Sequence, residues 1–198
     1  ININKKEKVF FVKSIFETNL KNILAATTVI SLFKDIDKLN ENIFYQYKIP
    51  KGRGDISEIK IKRKIIKFID ESYNANPLSV SSAIKNFDLI QKGSSKKNLI
   101  LSDMLELGKH SKKLHEGLAK CINTSKIDNV YVYGNNIKHT FNKIIPKKRG
   151  LVLKNKNQII SLIKNKINNN DYLMIKGSNL TGLHDLAEKL KKGNIHAL

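Results

Sequence analysis

The chain has 198 residues, 40% of them hydrophobic, enough for one full domain and part of another. Its 37 basic and 17 acidic residues leave a net charge of +20. Nearly all the basic residues are lysines scattered over every segment, with arginine only at Arg53, Arg63 and Arg149, a composition that suits a solvated lysine-rich surface better than a nucleic-acid reader.

The lone cysteine, Cys121, excludes an internal disulfide and a cysteine metal site and suits a reducing compartment such as the cytoplasm. Its spacing with Leu114, Leu118 and Ile122 reads as a small core residue. No apolar run reaches the ~20 residues of a membrane span. The N-terminal "ININKKEKVFFVKSIF" lacks the apolar core of a signal peptide, and a start at Ile1 suggests a chain that begins inside a longer protein.

In chain order, "ETNLKNILAATTVISLF" predicts one long helix with Leu20, Ile23, Leu24, Thr27 and Ile30 on one face. The amphipathic "DIDKLNENIFYQY" follows. Pro50, Gly52 and Gly54 then mark a domain boundary near residue 53. "ISEIKI" and "IIKFID" form a hairpin around Arg63. Asn76 as N-cap and Pro77 at the first position open a helix whose apolar stripe is Val80, Ala83, Ile84, Phe87 and Ile90. "KNLILSDM" is a buried strand, and "SKKLHEGLAKCINT" a helix capped by Ser111. The strand "NVYVYG", the short helix "NIKHTFNKII" and the short strand "GLVLK" come next. "NKNQIISLIKNKINN" is a helix, "DYLMIKGS" a strand and "LHDLAEKLKK" the last helix. Strands of four to six residues alternating with helices predict an α/β fold, a mostly parallel doubly wound sheet with an N-terminal hairpin. Its ligand edge lies at the strands' carboxyl ends. Three of those ends are polar: "DESYNAN", "SDMLELG" and "KGSN".

Four segments in this order resemble the Mur ligase family: "TNLKNILAA", "KGRG", "IDESYNANPLSVSSAI", and "LSDMLELGKHSKKLH" with "IKGSN". The pairing of "SYNANP" with "DMLELG" is the specific part. The resemblance spans essentially the whole chain. It implies that residues 1–52 are the helical tail of a central ATP-binding domain and 53–198 a Rossmann-like C-terminal domain.

The implied activity is that of the family member that joins D-alanyl-D-alanine to UDP-N-acetylmuramoyl-tripeptide. There ATP phosphorylates the tripeptide carboxylate and the dipeptide amine attacks the acyl phosphate, in cytoplasmic peptidoglycan precursor synthesis. The resemblance also implies the site. Asn19 and Asn22 lie near the nucleotide, Asn22 by adenine. Arg53 approaches the phosphates and is the catalytic candidate, because a preorganised cation offsets developing charge. Asp70 accepts from ribose hydroxyls. Tyr73, Asn74 and Asn76 flank the nucleotide, and Lys176, Gly177 and Ser178 face the incoming dipeptide.

Plainer roles stand beside these. Asp70 closes a turn, Arg53 makes a junction salt bridge, Asn76 only caps its helix. Asp103 and Glu106 build a loop, and His110, His115 and His139 sit at the surface or at caps. The sequence departs from the family pattern at Ser102, Thr18 and Asn179. It contains no Gly-x-x-x-x-Gly-Lys-Ser/Thr phosphate loop. The Mg²⁺ ligands and most ATP contacts are therefore expected in an upstream domain, and the chain is expected to be inactive alone. It is read as monomeric, with no nucleic-acid or membrane partner. The alternative is a free-standing basic α/β domain that binds nucleic acid or another polyanion.

Overall fold

A computed structural model describes residues 1–3, 5–13 and 17–193. The chain divides into two compact units, Ile1–Ile49 and Pro50–Leu198. The first holds a small antiparallel pair, β1 (Asn2–Ile3) and β2 (Lys6–Glu7). It also holds helix α1 (Glu17–Ser31) and a 3₁₀ turn, Ile36–Lys38, opened by the Asp35 carboxylate. On α1 the buried stripe is Asn19, Ile23 and Thr27, at i, i+4 and i+8. The Thr27 hydroxyl donates to the Ile23 carbonyl at 2.8 Å, which satisfies it inside. Leu20 and Leu24, expected on that face, are 42% and 43% exposed. One position is about 100° of helix rotation, and a unit this small covers only a narrow stripe.

The second unit is built on a six-stranded sheet. Strands β3 (Asp55–Ile61) and β4 (Lys64–Glu71) form the predicted hairpin, with Asp55 opposite Asp70 and Ile61 opposite Lys64. After β4 come α2 (Pro77–Leu89), β5 (Lys97–Ser102), α3 (Ser111–Thr124), β6 (Asn129–Tyr133), α4 (Ile137–Phe141), β7 (Arg149–Leu153), α5 (Lys156–Lys166), β8 (Tyr172–Lys176) and α6 (Leu183–Lys191). The strand order is β3-β4-β8-β5-β6-β7. Every pair except the hairpin is parallel.

The connections from β4 to β5, β6 and β7 step across the sheet one way, and the connection from β7 to β8 steps back. Right-handed crossovers then put α2, α3 and α4 on one face and α5 on the other. The two cores match. Val80, Ile84 and Phe87 of α2 pack with Leu118 and Ile122 of α3 over Leu99, Leu101 and Met174. Ile159 and Ile163 of α5 pack with Leu186 and Leu190 of α6 over Phe68, Ile100 and Ile175. Strands covered on both faces need unbroken apolar runs, which is why "LIL" and "LMI" carry no alternation.

Helix ends follow local chemistry. Asn76 caps α2, accepting from the Ser79 amide at 2.8 Å while the Ser79 hydroxyl accepts from the Asn76 amide at 3.0 Å. Ser111, expected as the cap of α3, is its first helical residue. A 3₁₀ turn, Gly108–His110, runs straight into the helix, so no side-chain cap is made.

Two lysines cap from inside. Lys97 Nζ donates to the Asp88 carbonyl at 2.8 Å. Lys148 Nζ donates to the Ile122 carbonyl at 2.8 Å and to that of Ser125. Cations suit helix C-termini, yet burial pulls both ammonium pKa values below the usual lysine range. Lys148→Met should cost about 1–3 kcal/mol in urea denaturation, because two carbonyls at the end of α3, that of Ile122 buried, lose their donor. A cost below about 0.5 kcal/mol would show that water replaces the ammonium there. Cys121 is half-buried at the α2 edge of α3. Burial pushes its thiol up, away from nucleophilic use. Among the described residues no helix is long and apolar enough to cross a membrane.

Candidate functional site

The carboxyl ends of β4, β8 and β5 bring the three polar loops together. Side chains alternate along a strand, so the adjacent acids at the end of β4 point to opposite faces. Asp70 points to the α6 face and is 0% exposed. Its Oδ1 accepts from the amide and hydroxyl of Ser72, closing the turn after the strand. Its Oδ2 accepts from Lys191 Nζ at 2.7 Å. Lys191 also pairs with Asp55 at 3.2 Å and Glu188 at 2.6 Å. Burial works against the ammonium, but hydrogen bonds to these three carboxylates outweigh it and hold its pKa above the usual range. The ribose contact implied for Asp70 has no free carboxylate lone pair facing solvent. The turn-closing role is the one the geometry displays.

Glu71 points to the other face, where Lys176 Nζ reaches its carboxylate at 3.1 Å. Burial pushes the Glu71 carboxyl up, against the pull of Lys176. Lys176 is 2% exposed and also donates to the Asn74 carbonyl at 2.9 Å. Its ammonium is a strut inside the 71–74 loop, not an open clamp.

Ser178 knits the loops further. Its hydroxyl donates to the Ala75 carbonyl at 3.3 Å and accepts from the Leu105 amide at 3.0 Å. Its own amide donates to the Asp103 carbonyl at 3.1 Å. Gly177 is buried between them, and a Cβ there would lie 2.8 Å from that of Ser102. The Asp103 carboxylate accepts from the Asn135 and Ile137 amides at 3.1 and 2.8 Å, the loop-building role. His115 departs from its expected surface or cap role. It is fully buried, accepting from the Met104 amide at 3.1 Å and donating from Nδ1 to the Ser111 carbonyl at 2.8 Å.

The open part of the site lies on the hairpin side. The Tyr73 amide donates to the Gly52 carbonyl at 3.0 Å, and the Gly54 amide to that of Asp70 at 2.7 Å. These bonds carry the β3–β4 pairing past the strand ends and set Arg53 over the Tyr73 ring, 4.5 Å from its centroid. Tyr73 meets the His184 ring edge-on at 5.6 Å. Gly52 has φ +72, and a Cβ there would come within 2.9 Å of both His184 and Tyr73. Arg53, Tyr73 and Asn74 are exposed, and they present a cation, a ring and an amide to one edge. That set suits a phosphorylated ligand with a planar group. Asn76 is committed to its cap. Asn19 and Asn22 lie on α1 in the first unit, one buried and one exposed.

Sequence reasoning missed Glu71, His184 and Lys191. The last two share a readable signal: His184, Glu188 and Lys191 fall at i, i+4 and i+7 on α6, on the flank beside Leu183, Leu186 and Leu190. Among the described residues no three His, Cys, Asp or Glu side chains gather in one place.

Comparison with known proteins gives one family. Residues 57–179 match the family described as "Mur ligase, glutamate ligase domain". The UDP-N-acetylmuramoyl-tripeptide–D-alanyl-D-alanine ligase of Rickettsia prowazekii is 29% identical over 168 residues, which covers 85% of this chain and 35% of that protein. The enzyme of the same name from Bacillus subtilis is 26% identical over 193 residues, covering 93% and 40%. The crystal structure of MurF ligase from Thermotoga maritima in complex with ADP superposes with a TM-score of 0.73 at 24% identity, over 89% of this chain and 38% of that one. The chain thus spans between 35% and 40% of the length of these two curated relatives.

Proposed function

The chain belongs to the Mur ligase family, and from that premise we propose that it is the C-terminal part of a ligase that joins D-alanyl-D-alanine to UDP-N-acetylmuramoyl-tripeptide at the expense of ATP. The observation that carries this reading is the Arg53–Tyr73–Asn74 edge, a phosphate-ready cation held over a ring at the ligand end of a doubly wound sheet. Arg53 would offset phosphate charge, and Tyr73 and Asn74 would flank the nucleotide. Asp70 is held by Lys191 and Ser72, and Glu71 beside it by Lys176, so these two acids would act by fixing the loop that carries Tyr73 and Asn74. Lys176, Gly177 and Ser178 would act on the dipeptide by fixing the loop that meets it, and Asn76 by starting α2.

The first unit would be the tail of the central ATP-binding domain, with Asn19 and Asn22 among that domain's nucleotide contacts. Leu20, Leu24, Val29, Leu32 and Phe33 are all exposed on or just after α1, an apolar surface that an adjoining domain would cover. Mg²⁺ ligands and a phosphate loop would come from that domain. Once joined to it, the protein should hydrolyse ATP only when both the tripeptide nucleotide and D-alanyl-D-alanine are present. Arg53→Ala should lower kcat by about 10²-fold. ATP turnover indifferent to the dipeptide would overturn the reading. Calorimetry on the 198-residue chain should show ADP binding no tighter than about 1 mM; micromolar binding would place the phosphate contacts in this chain.

The polyanion-binding alternative rests on the net charge of +20 alone. It predicts DNA affinity that survives physiological salt.

A further inference from the structure

We propose that His184 is a positioning residue for Arg53, an inference that rests on the ligase reading for its purpose but not for its geometry. Among the described residues no carboxylate pairs with the Arg53 guanidinium; the Tyr73 ring beneath it is its support. Arg53 therefore goes where the Tyr73 ring goes; the loop backbone is held by the Gly52 bond, the Ser72 turn and the Lys176 strut, but the Tyr73 side chain itself is exposed. The ring is steadied from the side by His184, at 5.6 Å and 86°.

His184 is itself fixed. The Ser72 hydroxyl gives its only proton to Asp70, and Asp70, pinned by Lys191, has only acceptors to offer. Across the 3.0 Å contact with His184 Nδ1 the Ser72 oxygen is therefore the acceptor, and Nδ1 carries the proton. The ring cannot flip without breaking that bond. The chain Lys191–Asp70–Ser72–His184–Tyr73–Arg53 thus runs from a buried ion pair to an exposed cation, with each member setting the next. Gly52 completes it, because any side chain there would enter the space of His184 and Tyr73. The helix contributes through one stripe: His184 backs Gly52 and Tyr73, Glu188 reaches Lys51 at 3.4 Å, and Lys191 reaches Asp55 and Asp70.

Nuclear magnetic resonance on the labelled 198-residue chain tests this. Arg53 side-chain protons should resonate upfield, shifted by the Tyr73 ring, and His184 should show the Nδ1–H tautomer. His184→Ala should return Arg53 toward random-coil shifts, and His184→Phe, which keeps a ring edge, should restore most of the difference. Ser72→Ala should abolish the tautomer preference with the fold intact, which keeps the test open if His184→Ala fails to fold. Tripolyphosphate, titrated while the Arg53 Nε–H signal is followed, should bind about three- to tenfold more weakly in His184→Ala than in the unaltered chain. Arg53 signals unchanged in a folded His184→Ala chain would overturn the proposal. An unaltered chain whose Arg53 ignores tripolyphosphate would sink the phosphate role of Arg53, while the ring shifts still decide the positioning.

Discussion

Lys191→Met should be among the most damaging single changes on the α6 face, costing about 3–5 kcal/mol. The substitution nearly preserves side-chain length and removes one charge. It leaves Asp70, 0% exposed, without its cation, and leaves Asp55 and Glu188 facing it. A carboxylate that cannot reach water and has lost its partner keeps its desolvation cost and loses the attraction that offset it. Against a domain stability of about 5–15 kcal/mol, that is a large fraction of the total. Asp70→Ala should cost a similar amount, since Lys191 keeps its two partly buried partners, Asp55 and Glu188, but Ser72 loses both acceptor contacts.

The decisive measurement is the double variant. If the pair is coupled, Asp70→Leu with Lys191→Met should cost clearly less than the sum of the singles. Strict additivity would mean that the two side chains do not depend on each other. The pH dependence has a definite sign. The Lys191 pKa is raised above the usual 10.5, so its stabilisation is fully present below pH 10.5 and is lost only as pH climbs past that value. Acidification to about pH 6 should leave this contribution untouched.

Much of the architecture can be read in the chain because its strands and helices differ in kind. A run such as Leu99-Ile100-Leu101, bounded by polar residues, is short enough for a strand. Val80, Ala83, Ile84 and Phe87 have helical spacing, with Asn76-Pro77 in front. The insertion of β8 between β4 and β5 cannot be read that way, since nothing local to β8 names its neighbours. The site shows the same division. Arg53 and Tyr73 belong to quotable motifs, and the structure brings them together. Which of Asp70 and Glu71 turns inward depends on which face α6 covers, and α6 lies more than 100 residues away in sequence. Lys176 looks like one lysine among many until the loops around it bury it. Leu20 and Leu24 have the right period, but period reports a shared face and not whether anything covers it.

His115→Ala should cost about 3–5 kcal/mol, as large as the ion-pair change but for a different reason. The His115 ring is fully buried between α3 and the end of β5, with each nitrogen committed: Nε2 to the Met104 amide and Nδ1 to the Ser111 carbonyl. Truncation removes ring volume from a packed interior and strands an amide with no water to replace the partner. His115→Phe separates the two effects. It keeps the volume and loses the hydrogen bonds, so it should cost about 1–3 kcal/mol. If alanine and phenylalanine cost the same, packing is irrelevant there; if phenylalanine is neutral, the Met104 amide has found another acceptor.

The two variants should also differ from Lys191→Met in where they loosen the protein. The Met104 amide belongs to the loop whose Asp103 carbonyl and Leu105 amide both bond to Ser178. Amide exchange at Met104, Leu105 and Ser178 should therefore quicken in His115→Phe while the β3–β4 hairpin stays protected. In Lys191→Met the loss should fall first on Gly54 and Ser72, whose amides bond to Asp70. Two separate anchors, one on each face of the sheet, hold the two halves of the same ligand edge.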